Sequence, residues 1–161
     1  MAEINRLLIA NRGEIAIRLI RACREMGIKS IAVYSEADSA ALHVKMADEA
    51  HCLGPNPLQG YLNAEGLVQL AQETHCDALH PGYGFLSENA EFANLCAKNN
   101  IIFVGPPASA IEAMGSKSAA KHIMEKAGVP LVPGYHGDDQ SEAVLKGAAD
   151  DMGYPVLLTA A

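Results

Sequence analysis

Short apolar runs, each followed by a stretch with helical spacing, are the feature that most constrains this chain. Leu7-Leu8-Ile9-Ala10 reads as a buried strand. From Glu14 to Met26 the spacing turns helical, with Ile15, Leu19, Ala22 and Met26 on one stripe and Gly27 placed to close the helix. Ser30 to Ser35 is a second strand. A short helical piece over His43 to Asp48 leads to a weak strand near His51 to Leu53, and Pro55 and Pro57 interrupt the pattern. The unit then repeats: helix over Ala64 to Glu73, strand at Ala78 to His80, helix over Glu88 to Lys98 with Ser87 as its N-cap, strand at Ile101 to Val104. Strands separated by single helices predict parallel βαβ units, hence an α/β fold with a doubly wound, mostly parallel open sheet.

The pattern changes after Gly105-Pro106-Pro107. Helices are expected over Ala108 to Met114, about Ser116 to Ala127, and Ser141 to Met152, with Val129 to Val132 extended. Tyr154 to Thr159 reads as a strand, and the chain stops just past it. A terminal strand with no onward partner predicts truncation. We therefore expect two domains, residues 1–115 and a partial one over 116–161.

Composition narrows the function classes. With 161 residues and half of them apolar, the chain can bury a full core. Its net charge of −7 disfavours a nucleic-acid partner. No apolar run approaches the roughly 18 residues that span a bilayer, so no membrane partner is expected. The start has neither a signal-peptide nor a transit-peptide pattern, which predicts a reducing, cytoplasmic setting. Cys23, Cys52, Cys76 and Cys96 form no CxxC pair and read as structural thiols. The six histidines show no HxxxH or HExxH spacing, so no metal site is expected.

Three segments could carry chemistry. Asn11-Arg12-Gly13-Glu14 occupies the first strand-to-helix turn, where open α/β sheets bind ligands, although its single glycine is not a dinucleotide fingerprint. In His80-Pro81-Gly82-Tyr83-Gly84-Phe85, two glycines flanking a tyrosine let backbone N–H groups approach a ligand; a turn needing positive φ gives the same pattern. Gly115-Ser116-Lys117-Ser118 opens a helix with a lysine, a potential anion site, or simply a solvated lysine. The first helix also carries Arg18, Arg21 and Arg24. Between Asn5 and Lys29 the local charge is +4, a solvated face or a subunit interface, with Arg21 and Glu25 spaced to pair.

On these residues the chain resembles the N-terminal domain of biotin carboxylases. The resemblance rests on Ile9 to Ala16, Tyr34-Ser35-Glu36-Ala37-Asp38, His43 with Ala47-Asp48-Glu49-Ala50, His80 to Asn89, Val104-Gly105-Pro106-Pro107, and Met114-Gly115-Ser116-Lys117. It covers essentially the whole chain. Within the family, Met124 to Gly137 is most similar to the α subunits of methylcrotonyl-CoA carboxylases. The resemblance implies a Rossmann-like domain followed by the start of an ATP-grasp domain. It implies a ligase that uses ATP, Mg2+ and bicarbonate, through carboxyphosphate, to carboxylate N1 of biotin on a carrier domain. It also implies a homodimer and a carboxyltransferase subunit as partner. Carried over by position, Lys117 contacts ATP, Tyr83 and Gly84 lie beside the biotin ring, and Arg21 and Glu25 lie at the dimer interface.

The chain departs from the family at Thr159, where a lysine is expected to contact ATP. Threonine lacks that charge and reach. The glycine-rich loop and the later glutamates and arginines of the family are not in the sequence either. No catalytic residue is therefore expected within these residues, and the 161-residue chain alone is expected to be inactive. Restoring lysine at 159 in the longer parent is expected to raise kcat/KM for ATP. Other readings are another ATP-grasp ligase of the carbamoyl-phosphate synthetase type, or a non-catalytic assembly module built on the sheet and the arginine-rich helix. The His80 to Asn89 run argues against the purine-pathway carboxylases.

Overall fold

The apolar runs become strands because helices can cover both of their faces. The computed structural model describes the backbone of residues 3–115 and 117–158, and their side chains except those of residues 117 and 118. These form β1 Arg6–Ile9, α1 Gly13–Met26, β2 Lys29–Tyr34, α2 Leu42–Met46, β3 Glu49–Cys52, α3 Pro57–Tyr61, α4 Ala64–Glu73, β4 Ala78–His80, α5 Ala90–Lys98, β5 Ile102–Phe103, α6 Ala108–Gly115, α7 Lys117–Lys126 and α8 Glu142–Met152. They divide into two compact units, one up to Ile111 and one from Glu112 onward.

In the first unit all five strands are parallel, in the order β3-β2-β1-β4-β5. Leu8 pairs with Ile31 on one side and Leu79 on the other, so β1 is the central strand. Its period-two alternation splits the core. Leu7 and Ile9 pack with Ala16, Ile20 and Cys23 of α1 on one face. Leu8 and Ala10 pack on the other with Ile31, Val33, Leu67, Phe92 and Cys96. The chain winds outward from β1 through β2 to β3, then crosses back to β4 on the opposite side. The order therefore reverses between β1 and β4, where such sheets hold ligands beyond the strand carboxyl ends.

Four expectations need correction. The fully buried stripe of α1 is Ala16, Ile20 and Cys23; of the expected Ile15, Leu19, Ala22 and Met26, Leu19 packs partly buried against that cluster, whereas Ala22 is exposed and Met26 is 73% exposed. The apolar arc is wide enough to fit either stripe, and the observed rotation packs Ala16, Ile20 and Cys23 against Leu7, Ile9 and Ala78. The cap of α5 is Asn89, whose side chain accepts from the Phe92 N–H at 2.9 Å, not Ser87. Pro57 does not merely interrupt: it begins α3, with Asn56 accepting from the N–H groups of Leu58 and Gln59. Finally, 154–158 make no strand. The described part of the second unit offers no other strand to pair with, and a strand without a neighbour is not stable.

Candidate binding crevice at the sheet's carboxyl edge

Asn11 leaves β1 fully buried and reaches across to the segment after β4. Its amide nitrogen donates to the carbonyl oxygens of Pro81 at 2.7 Å and Tyr83 at 3.0 Å. Its Oδ1 accepts from the Arg12 N–H at 2.9 Å. Both donor hydrogens of a buried amide are therefore used to hold the 81–85 loop over the point where the sheet order reverses. Gly82 sits beneath this clamp at φ +68. A Cβ there would lie 2.7 Å from Asn11 Nδ2 and 2.7 Å from Ile15 Cγ2, so only glycine fits. The Gly82 N–H donates to His80 Nδ1 at 2.9 Å, which places the imidazole proton on Nε2. Burial lowers the His80 pKa and so favours this neutral form.

A second layer supports the loop from the other side. Phe85 adopts φ +43, an uncommon conformation for a bulky residue, and its ring stacks on Tyr61 at 5.2 Å. Tyr61, contributed by α3, is 1% exposed and donates to Asp38 at 2.7 Å. Burial first, then this hydrogen bond, pushes its phenol up to about 12, so it remains a donor. Asp38 also accepts from Ser35 Oγ at 3.1 Å and pairs with Arg12 at 2.6 Å. The Arg12 guanidinium lies 5.7 Å over the Tyr61 ring. Arg12 is held by an acid and an aromatic face while its side chain stays 45% exposed at the crevice.

Tyr83 is the most open aromatic of this group, 62% exposed, and its hydroxyl donates to Glu14. That bond, more than its slight desolvation, raises the Tyr83 pKa. Loop backbone, an exposed tyrosine ring and a tethered guanidinium suit a small polar ring system better than bond-breaking. Among the described residues the crevice holds no nucleophile with an adjacent base.

The sites expected from sequence are distributed over several places. Tyr83 and Gly84 are at this crevice, together with Asn11, Arg12 and Glu14 of the first turn. Arg21 and Glu25 lie on the exposed side of α1, and among the described residues they form no ion pair. Lys117 begins α7, but its side chain lies outside the described residues, as does Thr159 entirely. All four cysteines are free; Cys23, Cys76 and Cys96 are buried in the core, and burial raises their pKa, whereas Cys52 is exposed. Sequence reasoning missed Tyr61 and the Phe85 stack. The Asn56-Pro57 pair could have revealed the short helix that carries Tyr61, but no local signal announces the stacking. No helix of the described residues is long and apolar enough to cross a membrane.

Comparison with known proteins gives this crevice its context. Residues 3–111 match the family "Biotin carboxylase, N-terminal domain", and residues 116–161 match "Carbamoyl-phosphate synthase L chain, ATP binding domain". The chain is 56% identical, over 98% of its length, to the mitochondrial methylcrotonoyl-CoA carboxylase subunit alpha of Dictyostelium discoideum, covering 23% of that protein. It is also 56% identical to biotin carboxylase 1 of Bacillus subtilis, covering 98% of this chain and 35% of that one. Among solved structures, the biotin carboxylase domain dimer of Hydrogenobacter thermophilus 2-oxoglutarate carboxylase, in complex with MgADP, ADP and bicarbonate, superposes with a TM-score of 0.90 at 52% identity. That match covers 96% of this chain and 34% of the other. The chain thus spans about a quarter to a third of the relatives it matches. The chain belongs to the biotin carboxylase family, with residues 3–111 as its N-terminal domain.

Proposed function

We propose that the protein carrying this chain is the biotin carboxylase component of an acyl-CoA carboxylase, acting on biotin attached to a carrier domain. The observation that carries the reading is the Asn11 clamp, which fixes an open loop at the reversal point of the sheet. Tyr83 and Gly84 of that loop would line one side of the biotin ring. Their fit is physical: the loop backbone can approach a flat bicyclic urea closely, and the exposed tyrosine offers it an apolar face. ATP with Mg2+ would activate bicarbonate as carboxyphosphate when bound. Among the described residues no ligand set suits the phosphates or magnesium, so no step through them is derived from this chain. Lys117 is the residue assigned to ATP, with Thr159 at the position of a second contact.

Arg21 and Glu25 would lie at a homodimer interface, on the exposed side of α1, and a carboxyltransferase subunit would transfer the carboxyl group from biotin N1 to the acyl-CoA, releasing free biotin on its carrier. Four free thiols fit the reducing cytoplasm; a mitochondrial location, as named for the Dictyostelium relative, satisfies the same chemistry. The carbamoyl-phosphate alternative draws on the match of residues 116–161, but the crevice sequence and the match of residues 3–111 favour biotin. The test uses the full-length protein. Bicarbonate-dependent ADP release stimulated by free biotin is the expected result. Stimulation by ammonia or glutamine, with none by biotin, would overturn the reading.

A further inference from the structure

Away from the crevice, α7 and the segment after it gather three metal-binding side chains. His122 and Glu125 stand at i and i+3 on α7, neighbours on one helical face. Gly128 turns the chain back at φ +70, and His136 arrives with its Nε2 3.4 Å from Glu125 Oε2. One ring nitrogen from each histidine and one carboxylate oxygen all lie within 4.8 Å of one another. The imidazole of His136 is partly buried, and its Nδ1 has no hydrogen-bond partner among the described residues. A pocket of about 260 Å³ opens here, lined by Ala119, His122, His136, Gly137 and Asp138.

We propose that His122, Glu125 and His136 form a binding site for a divalent transition-metal ion of the zinc and cobalt class. Two neutral imidazoles and one carboxylate place a single negative charge around the ion. That nitrogen and oxygen donor set suits borderline ions, whereas magnesium prefers an all-oxygen shell. The site is therefore separate from the magnesium of the proposed ATP chemistry. Ligand atoms bonded at about 2.0–2.1 Å to a tetrahedral ion lie roughly 3.4 Å apart. The Glu125 and His136 atoms are already at that spacing, so closure falls to His122, an exposed side chain able to change rotamer. Water can take the fourth position from the same pocket. Spacing along the sequence hides the site, because only the turn after α7 brings His136 to the other two.

The test titrates the untagged chain, stripped with chelator, with cobalt(II). The expected result is one ion per chain, visible absorption of four- or five-coordinate strength, and displacement by zinc. His122→Ala and Glu125→Gln, both at exposed positions, should each weaken binding more than about tenfold, since even outer-shell changes at metal sites cost that much. His75→Ala, outside the cluster, should leave it unchanged. Absence of saturable binding up to millimolar cobalt overturns the proposal, as does an affinity in either cluster variant equal to that of the unsubstituted chain. Paramagnetic shifts of the imidazole signals in the unsubstituted chain decide independently of any variant. Shifts confined to His122 and His136 support the site, and shifts centred on another histidine overturn it.

Discussion

Asn11 connects two loops that lie far apart in sequence, and it does so with no solvent to replace what it gives. Removing its amide leaves two carbonyls at the crevice without their donor. Unsatisfied buried groups cost about 1–3 kcal/mol each, so Asn11→Ala should destabilise the chain by about 2–4 kcal/mol in urea unfolding. A loss under about 0.5 kcal/mol, the range of ordinary surface substitutions, would mean that the clamp carries little of the loop's stability. From sequence, Asn11 is visible only as part of a turn. Nothing local marks its side chain as the contact to Pro81 and Tyr83, since that contact exists only once β1 and β4 are paired. The loop that carries Tyr83 and Gly84 was legible as a glycine-rich turn after a strand, and Gly82 and Gly84 do take positive φ there. Tyr61 was not, because its burial depends on Phe85 folding over it.

At the level of elements, periodicity locates the five strands of the parallel sheet to within a few residues, because each apolar run must be covered on both faces. Helix faces and caps were less legible. In α1 the near-continuous apolar arc from Ile15 to Cys23 fits two rotations, and the one adopted is set by packing against the sheet, which the helix's own sequence does not show. In α5 both Ser87 and Asn89 are chemically able to cap, and the chain uses Asn89 because Ser87 still belongs to the turn closed by its N–H to the Gly84 carbonyl. Asn89→Ala should therefore lower stability by about 1 kcal/mol, the usual worth of such a cap, and Ser87→Ala should lie within about 0.5 kcal/mol of the parent. Thermal unfolding of the two variants side by side checks this. A larger loss for Ser87→Ala would restore the shorter reading of the turn.

Over the whole molecule, acid should weaken the fold in two stages. Burial above all lowers the pKa of His43 from 6.5; its Nε2 faces the Val33 carbonyl and its Nδ1 has no partner among the described residues. The unfolded chain takes up a proton there more readily than the folded one. The stability due to neutral His43 is thus full above 6.5 and falls away as the pH drops below it. Asp48 and Asp77 are held below 3.8, first by the backbone N–H of Ser30 and of Asn5 respectively. Their contribution is full above 3.8 and is lost as the pH falls through their lower folded values. His80, whose pKa burial also lowers, adds to the same stage; Tm should decline from about pH 7 to about pH 5, and His43→Gln should make that part of the curve shallower without touching the decline at lower pH. An unchanged slope in His43→Gln would assign the first stage to other groups. The proposed place of Arg21 and Glu25 at a homodimer interface, like the proposed binding of biotin at the crevice, is tested in the full-length protein. The decisive measurement is the steady-state kinetics of full-length Tyr83→Ala with free biotin; this side chain is 62% exposed, so the fold should survive its loss. The expected result is a KM for biotin raised about tenfold or more, with the KM for ATP unchanged. An unchanged KM for biotin with a raised KM for ATP would contradict the placement of biotin at this loop.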